Sequence, residues 1–223
     1  DNISIKITTE RVYGTDVYIA DIKVSSTSYL KSAFAEDTFG KNIIEKTSEI
    51  AATHDAIFAI NGDYCGFKNS GFVVRNGVLY RDTANDENGG EGLAINSDGS
   101  FEIVDESTSD ASKLLKSGAL QIYSFGPTLV NNKKTVVDQY SEIQKAMTSN
   151  PRTAIGIIAP LHYIFVVSDA RTTKSEGLSL YQLADVMKKQ GCSIAYNFDG
   201  GGSATMWFNG KIINIPTDGH YSG

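Results

Sequence analysis

The stretch YNFDGGGSATMWFNG, from Tyr196 to Gly210, places Asp199 and three consecutive glycines between two apolar runs. Glycines contribute no side-chain packing and lose much backbone entropy on folding, so three together indicate that something else approaches this backbone closely. One interpretation is a nest of unshielded N–H groups beside Asp199 that binds an anion. The alternative is a tight β-bulge that binds nothing. The stretch alone leaves both interpretations open.

The residues that follow the glycines exclude the two common glycine-rich phosphate sites. A P-loop needs a Gly-Lys-Ser/Thr ending and then a helix, and a dinucleotide-binding turn also opens a helix. No Lys follows Gly202, and the next segment, TMWFNGKIINI, carries an Asn209-Gly210 turn signal between apolar residues. The sequence therefore predicts that the loop joins a buried strand to a β-hairpin.

Similar turn signals recur along the chain and predict a fold rich in hairpins. Two-residue turns of this kind favour type I′ geometry, in which both central residues have positive φ. The candidates are Asn76-Gly77, Asp98-Gly99, Asn209-Gly210 and, with a weaker signal, TLVNNKKTVV. DVYIADIKV alternates like a strand, and TAIGIIAPLHYIFVVSDAR is typical of a strand, a turn at Pro160 and a second buried strand.

Three segments have helical patterns. Residues 38–54 space their apolar side chains at nearly helical intervals, and DASKLLKSGA predicts a short helix. The clearest pattern is SLYQLADVMKKQGC, which begins with a Ser179/Gln182 capping box and ends at Gly191. Together with the hairpins, these helices predict an α+β fold: a single domain over residues 1–223 with a mixed or antiparallel β-sheet rich in hairpins and a few packed helices.

Composition restricts the class of partner. The chain has 223 residues, a net charge of -6 and a pI of about 5.1. Nucleic-acid binding needs a basic face, so we expect no nucleic-acid partner. No apolar run approaches the roughly 20 residues of a membrane span. The chain begins at Asp1 and is rich in Ser, Thr, Asn, Gly and Tyr. We therefore expect a processed or trimmed protein that works outside the cell or at its surface.

Six short motifs, in chain order, resemble the phosphodiester glycosidase family, including its bacterial members. They are INGDY (60–64), GFVVRNGVLY (71–80), GPTLV (126–130), PRTAIG (151–156), VVSDAR (166–171) and DGGGSATM (199–206). Each motif is weak by itself, but six in order are fairly specific, and the resemblance covers about residues 50–215. One departure is Ser168-Asp169-Ala170-Arg171, where the family usually has Asp-Gly-Arg. Another is that the family continues into an Arg-containing strand where this sequence ends at DGHYSG, so we expect a domain truncated at its C-terminal end.

The resemblance implies hydrolysis of the C1–O bond of a sugar-1-phosphodiester, on surface or exopolysaccharide glycans. It implies catalytic roles for Asp199, Asp63 and Arg152, because carboxylates suit attack at an anomeric carbon and Arg presents a planar fork to phosphate. The implied substrate- or phosphate-binding residues are Asn61, Gly62, Arg171, Gly200, Gly201, Gly202, Ser203 and Thr205. Each of these residues also has a purely structural interpretation, such as an Asp that forms its own turn.

Two other functions stay open. A metal-dependent phosphodiesterase would use Asp63, Asp169 and Asp199 as ligands of a divalent cation, although we expect no cofactor. A non-catalytic module would bind glycan phosphate without turnover. His54, His162 and His220 are widely spaced and lie in no recognised element.

The two cysteines, Cys65 and Cys192, each lie within a few residues of a loop that contains Gly and Asp. They are either two separate buried thiols or one disulfide that joins the two loops which the resemblance brings together. We expect them to be close enough to bridge.

Overall fold

The computed structural model describes residues 1–86, 90–137 and 149–217. The C-terminal DGHYSG segment, with His220 and the predicted truncation, lies outside these residues. The strands are β1 (Ile3–Val12), β2 (Thr15–Val24), β3 (Phe58–Ile60), β4 (Val73–Arg75), β5 (Val78–Arg81), β6 (Glu91–Asn96), β7 (Phe101–Asp105), β8 (Ala119–Tyr123), β9 (Thr128–Asn131), β10 (Lys134–Thr135), β11 (Arg152–Ala159), β12 (His162–Ser168), β13 (Ile194–Asn197), β14 (Met206–Phe208) and β15 (Lys211–Ile212). The helices are α1 (Thr47–Thr53), α2 (Ala111–Lys116) and α3 (Leu180–Lys189).

The largest sheet has seven strands in the order β1-β2-β12-β11-β13-β9-β10. Its central strands, β11 and β12, are the apolar runs TAIGIIA and YIFVV, which are buried on both faces. As predicted, a tight turn joins them, with Leu161 in the left-handed region at φ 68°. Continuous apolar runs form central strands because neither face of such a strand meets water.

Two smaller sheets pack on one face of the seven-stranded sheet, and α3 packs on the other. The five-stranded sheet has the order β5-β4-β8-β6-β7, and the three-stranded sheet has the order β15-β14-β3. One core cluster lies between the seven-stranded sheet and α3 and includes Leu183 and Met187 of the helix. A second lies on the opposite face of that sheet and includes Leu93 and Ile95 of β6 and Met206 of β14. All strand pairs among the described residues are antiparallel, which confirms the predicted α+β class.

The predicted hairpins are present, and three of them have the expected turn. Positive φ at both central residues occurs at Asn76-Gly77 (51° and 77°), Asn132-Lys133 (49° and 62°) and Asn209-Gly210 (48° and 84°). At Asp98-Gly99 the hairpin forms, but only Gly99 has positive φ, and the N–H of Asn96 donates to the carbonyl of Ser100. The loop is therefore one residue longer than the predicted type I′ turn.

One predicted helix is wrong over most of its length. Residues 38–46 are not helical, and only Thr47–Thr53 forms α1. Asn42 has φ 59°, which no right-handed helix accommodates. By contrast, α3 begins and ends as predicted, with the Ser179/Gln182 capping box and positive φ at Gly191. None of the helices in the described ranges is long and apolar enough to cross a membrane.

The predicted disulfide is also wrong, since both cysteines are free. Cys192 lies in the core between α3 and the seven-stranded sheet, where burial raises the pKa of its thiol to about 12. Cys65 lies in the turn Cys65–Phe67 beside Asp63 and Arg81, next to the five-stranded sheet on the opposite face. Although the motifs that flank them are near each other, the two side chains belong to different layers.

Candidate active site

Several strands end or begin at one edge of the molecule, and their register brings the predicted motifs together. Ala154 of β11 pairs with Asn197 at the end of β13, and Arg152 pairs with Ser168 at the end of β12. In the three-stranded sheet, Ile60 at the end of β3 pairs with Met206 at the start of β14. The segments 61–63, 150–152, 168–171 and 198–205 therefore lie beside one another.

Asn61 joins its own segment to the glycine loop and to Thr153 of β11. Its Nδ2 donates to the carbonyl of Asp199 at 2.6 Å, and its Oδ1 accepts from Oγ1 of Thr153 at 2.7 Å and from the N–H of Thr205 at 3.2 Å. The next residue, Gly62, accepts from the N–H of Asp199 at 3.1 Å. The amide of Asn61 thus positions the backbone of Asp199, and its predicted contact with a substrate stays a prediction.

Asp199 is the carboxylate at this junction. Burial raises its pKa, whereas hydrogen bonds from Ser203 and from the N–H of Gly200, and the charge of Lys68, favour its ionised form. A half-buried carboxylate of this kind is a better base than one in water. Asp199 is therefore suited to accept a proton or to attack an electrophilic carbon.

Two of the three glycines, Gly200 and Gly201, are explained by protein backbone. A side chain at Gly200 would place its Cβ 2.5 Å from the carbonyl oxygen of Pro151, and Gly201 has φ 61°. The N–H of Gly201 donates to that same carbonyl at 3.0 Å, and the N–H groups of Ser203 and Ala204 donate to carbonyls within the loop. The N–H groups of Gly201, Ser203 and Ala204 are therefore not free to bind an anion, because each already donates to a carbonyl group of the protein. Contact of Gly200, Gly201, Gly202 or Ser203 with a substrate stays a prediction.

Asp63 lies in a different environment from Asp199. Its side chain is 3% exposed, and its two oxygens accept from Nη2 of Arg75 at 2.7 Å and from the N–H of Ser124 at 3.0 Å. Arg75 also donates to the carbonyl of Ile122 at 2.5 Å and lies 4.2 Å from the ring centroid of Tyr123. These contacts favour a structural role for Asp63 over the predicted catalytic one, because they occupy both carboxylate oxygens.

The two candidate arginines are placed differently. Nε of Arg152 donates to the carbonyl of Leu178 at 2.9 Å, a contact of the structural kind. Arg171 is exposed, has φ 55°, and reaches over the glycine loop, so that a Cβ at Gly201 would lie 3.9 Å from its Nη2. The same Nη2 donates to Oδ1 of Asn150 at 3.0 Å. The guanidinium of Arg171 therefore lies beside the glycine loop.

The three aspartates considered as metal ligands make separate contacts. Asp169 accepts from the hydroxyl of Tyr18 and from the N–H of Ile215, each at 2.8 Å, and its burial raises its pKa. Across residues 1–86, 90–137 and 149–217, no three His, Cys, Asp or Glu side chains are placed to hold a metal ion.

Thr205 is fully buried, and its Oγ1 has no hydrogen-bond partner among the described residues.

Lys68 is a site residue that the sequence reasoning missed. Its Nζ lies 4.6 Å from the ring centroid of Phe125 and 3.5 Å from the carbonyl of Ser124, and its charge favours ionised Asp199. No motif contains Lys68. The available signal was its position, since CGFK directly follows the INGDY element whose Gly62 contacts Asp199.

Comparison with known proteins finds the same family that the six sequence motifs resemble. The phosphodiester glycosidase family model matches residues 54–221. An SPbeta prophage-derived uncharacterized protein of Bacillus subtilis is 28% identical over 225 residues, which cover 92% of this chain and 35% of the relative. Mouse N-acetylglucosamine-1-phosphodiester alpha-N-acetylglucosaminidase is 29% identical over 111 residues, which cover 47% of this chain and 21% of the relative. The chain thus spans about a third or less of the length of these relatives.

A solved structure shows the same fold. The catalytic domain of the zebrafish N-acetylglucosamine-1-phosphodiester alpha-N-acetylglucosaminidase, auto-inhibited by its pro-peptide, superposes with a TM-score of 0.72 and 21% identity. The superposition covers 97% of this chain and 76% of that chain.

Proposed function

Because this chain belongs to the phosphodiester glycosidase family, we propose that it is a hydrolase that cleaves the C1–O bond of a sugar-1-phosphodiester, releasing the sugar and a phosphate monoester. The observation that carries the proposal is the placement of Asp199. Asn61 and Gly62 hold its backbone, and its carboxyl group is half-buried and hydrogen-bonded to Ser203. A carboxylate held in this way beside an anomeric carbon supplies the group that glycoside hydrolysis requires.

The role of Asp199 follows from the leaving group. A phosphate monoester leaves readily and needs little help from a general acid. The carboxylate of Asp199 therefore acts on the sugar side, either by attacking C1 or by taking a proton from the water that attacks C1. Both routes require ionised Asp199, which the hydrogen bond from Ser203 and the charge of Lys68 favour.

Arg171 and Lys68 provide positive charge for the phosphodiester. Arg171 lies over the glycine loop, and Lys68 is close enough to Asp199 to influence its ionisation. The planar guanidinium of Arg171 matches the geometry of phosphate oxygens, and Lys68 acts as a point charge. Together they would stabilise the phosphate as the C1–O bond breaks. Arg152, at the start of β11, donates a hydrogen bond from Nε to the carbonyl of Leu178 and thereby ties the strand to that residue.

The proposed substrates are sugar-1-phosphodiesters on glycans of a cell surface or an exopolysaccharide, and the protein would act on them outside the cell. The composition, which is rich in Ser, Thr, Asn, Gly and Tyr, supports this setting. The mouse and zebrafish relatives are named for action on N-acetylglucosamine-1-phosphodiesters. N-acetylglucosamine is therefore the first sugar to test.

A panel of sugar-1-phosphodiesters, assayed for release of reducing sugar, tests the proposal. Asp199→Asn should lower kcat/KM at least about a hundredfold, equivalent to about 2.7 kcal/mol of transition-state stabilisation. The matched control is Asp55→Asn, an exposed aspartate with φ 51°, a conformation that Asn tolerates. Binding of these compounds without any release of reducing sugar, or full turnover by Asp199→Asn, would contradict the proposal.

A further inference from the structure

Tyr64 and Phe67 form an exposed aromatic pair that the proposed chemistry does not use. Their ring centroids are 4.5 Å apart with an angle of 13° between the planes, so the rings are stacked. Tyr64 remains 47% exposed and Phe67 40% exposed. Two partly exposed rings stacked on each other form a small apolar surface that is open to a ligand.

The chain holds this pair close to Asp199. The segment just before Tyr64 contacts Asp199 twice, through Nδ2 of Asn61 at 2.6 Å and through the carbonyl of Gly62 at 3.1 Å. Just after Phe67, the charge of Lys68 acts on the same carboxyl group. The rings therefore lie on a short segment that is hydrogen-bonded to the backbone of Asp199 at its start and is followed by a lysine whose charge acts on the Asp199 carboxyl group.

Contacts on either side of Tyr64 constrain the conformation of the same segment. Asp63 is buried in its ion pair with Arg75, which fixes the residue before Tyr64. Tyr64 has φ 61°, a conformation that is rare for a bulky residue, and its carbonyl accepts from the N–H of Phe67 at 3.2 Å. The orientation of the pair is thus set by the fold before any ligand binds, which reduces the entropy lost on binding.

We infer that the Tyr64–Phe67 pair is the platform for the glycosyl ring of the substrate, the sugar whose C1–O bond is cleaved. This inference rests on the proposed function. A pyranose presents a face of C–H groups that packs on an aromatic ring, while its hydroxyl groups point to polar residues at the edge. The glycosyl ring is the occupant because its C1 must lie against Asp199, and Asn61 and Gly62 connect Asp199 directly to this segment.

Steady-state kinetics of ring-deleting variants test the inference. Phe67→Ala and Tyr64→Asn remove one ring each, and Asn is chosen because it tolerates positive φ. We expect each variant to raise KM about tenfold with kcat nearly unchanged, the pattern of lost binding that is equal in the ground and transition states. Tyr64→Phe should behave like wild type. Tyr29→Ala, which deletes a ring that is 44% exposed in the turn Thr27–Tyr29, is the matched control.

Two substrates identify the occupant. N-acetylglucosamine-1-phosphodiesters of methanol and of a second sugar share the glycosyl ring and differ in the alcohol. Equal rises in KM for both substrates support the inference. A rise only with the sugar alcohol, or no rise in variants that melt like wild type, would overturn it.

A binding measurement separates this inference from the proposed function. Saturation-transfer NMR with free N-acetylglucosamine needs no turnover. If no phosphodiester is hydrolysed but the sugar signal is lost in Tyr64→Asn and Phe67→Ala and kept in Tyr29→Ala, the platform stands and the proposed function fails. If the signal is the same in all variants, the platform fails.

Discussion

At the scale of single residues, the hydrogen bond from Ser203 to Asp199 has a consequence for pH dependence. It favours the carboxylate, so Ser203→Ala should raise the pKa of Asp199 further above its ordinary value of 3.8. Because the proposed reaction requires the ionised form, the acidic limb of kcat/KM against pH should move to higher pH. Lys68 and Asp63, the other charges that act on Asp199, are unchanged in this variant.

The control for this pH profile is Ser112→Ala. Ser112 donates to the exposed carboxylate of Asp110 at 2.7 Å, far from the site in the sequence, at the start of α2. Its removal should leave the profile unchanged. An acidic limb that stays in place or moves to lower pH in Ser203→Ala would show that Asp199 does not set it.

A second residue-scale prediction concerns stability. Asp63→Ala leaves the Arg75 guanidinium buried without its carboxylate, and breaking a buried ion pair in this way costs about 3–5 kcal/mol of unfolding free energy. Denaturant titration measures it. Glu102→Ala, which removes an exposed carboxylate on β7, should change stability by less than about 0.5 kcal/mol. A value for Asp63→Ala within that smaller range would mean that the pair contributes little.

These residues also show where sequence reasoning ended. Asp63 and Asp199 both lie beside glycine in loops after apolar strands, so the sequence assigned both of them the same chemistry. Their difference arises from Arg75, which lies on a separate strand and occupies one oxygen of Asp63. Contacts of this kind depend on tertiary packing, which local patterns do not encode.

At the scale of elements, α3 and β11 meet at Gly156 with almost no spare volume. A Cβ at Gly156 would lie 2.6 Å from Sγ of Cys192 and 2.7 Å from Cε of Met187. Gly156→Ala should therefore lower the free energy of unfolding by about 1–3 kcal/mol through overpacking. Cys192→Ala removes the nearest atom and should recover part of this loss in the double variant, as a double-mutant cycle measures. Strict additivity of the two changes would contradict the contact.

Elements were predictable where a single local rule decided them. Asn-Gly dipeptides gave hairpins because Asn and Gly tolerate positive φ, and the capping box of Ser179 gave the start of α3. The hairpin at Tyr13-Gly14, with φ values of 51° and 63°, was not predicted because Tyr-Gly carries no such signature. The helix predicted over residues 38–54 forms only in its second half. The prediction relied on approximate apolar spacing and missed the turn at Asn42, where φ is positive.

At the scale of the whole molecule, the candidate site is assembled from segments far apart in sequence. Asn61 and Asp199 are separated by 138 positions and joined by a 2.6 Å hydrogen bond. Periodicity and turn signals gave the strands that carry these residues but not the strand order, which places β11 between β12 and β13. Only the resemblance of six motifs in order indicated that the loops meet.

In the proposed reaction water adds to the sugar and not to phosphorus, and hydrolysis in water labelled with heavy oxygen distinguishes these two outcomes. The position of Asp199, with Arg171 over the neighbouring loop, favours attack at C1 with departure of the phosphate. After single-turnover hydrolysis of a sugar-1-phosphodiester, mass spectrometry should find the label in the hemiacetal hydroxyl of the released sugar. Label in the phosphate product would contradict attack at C1 and would indicate a phosphodiesterase.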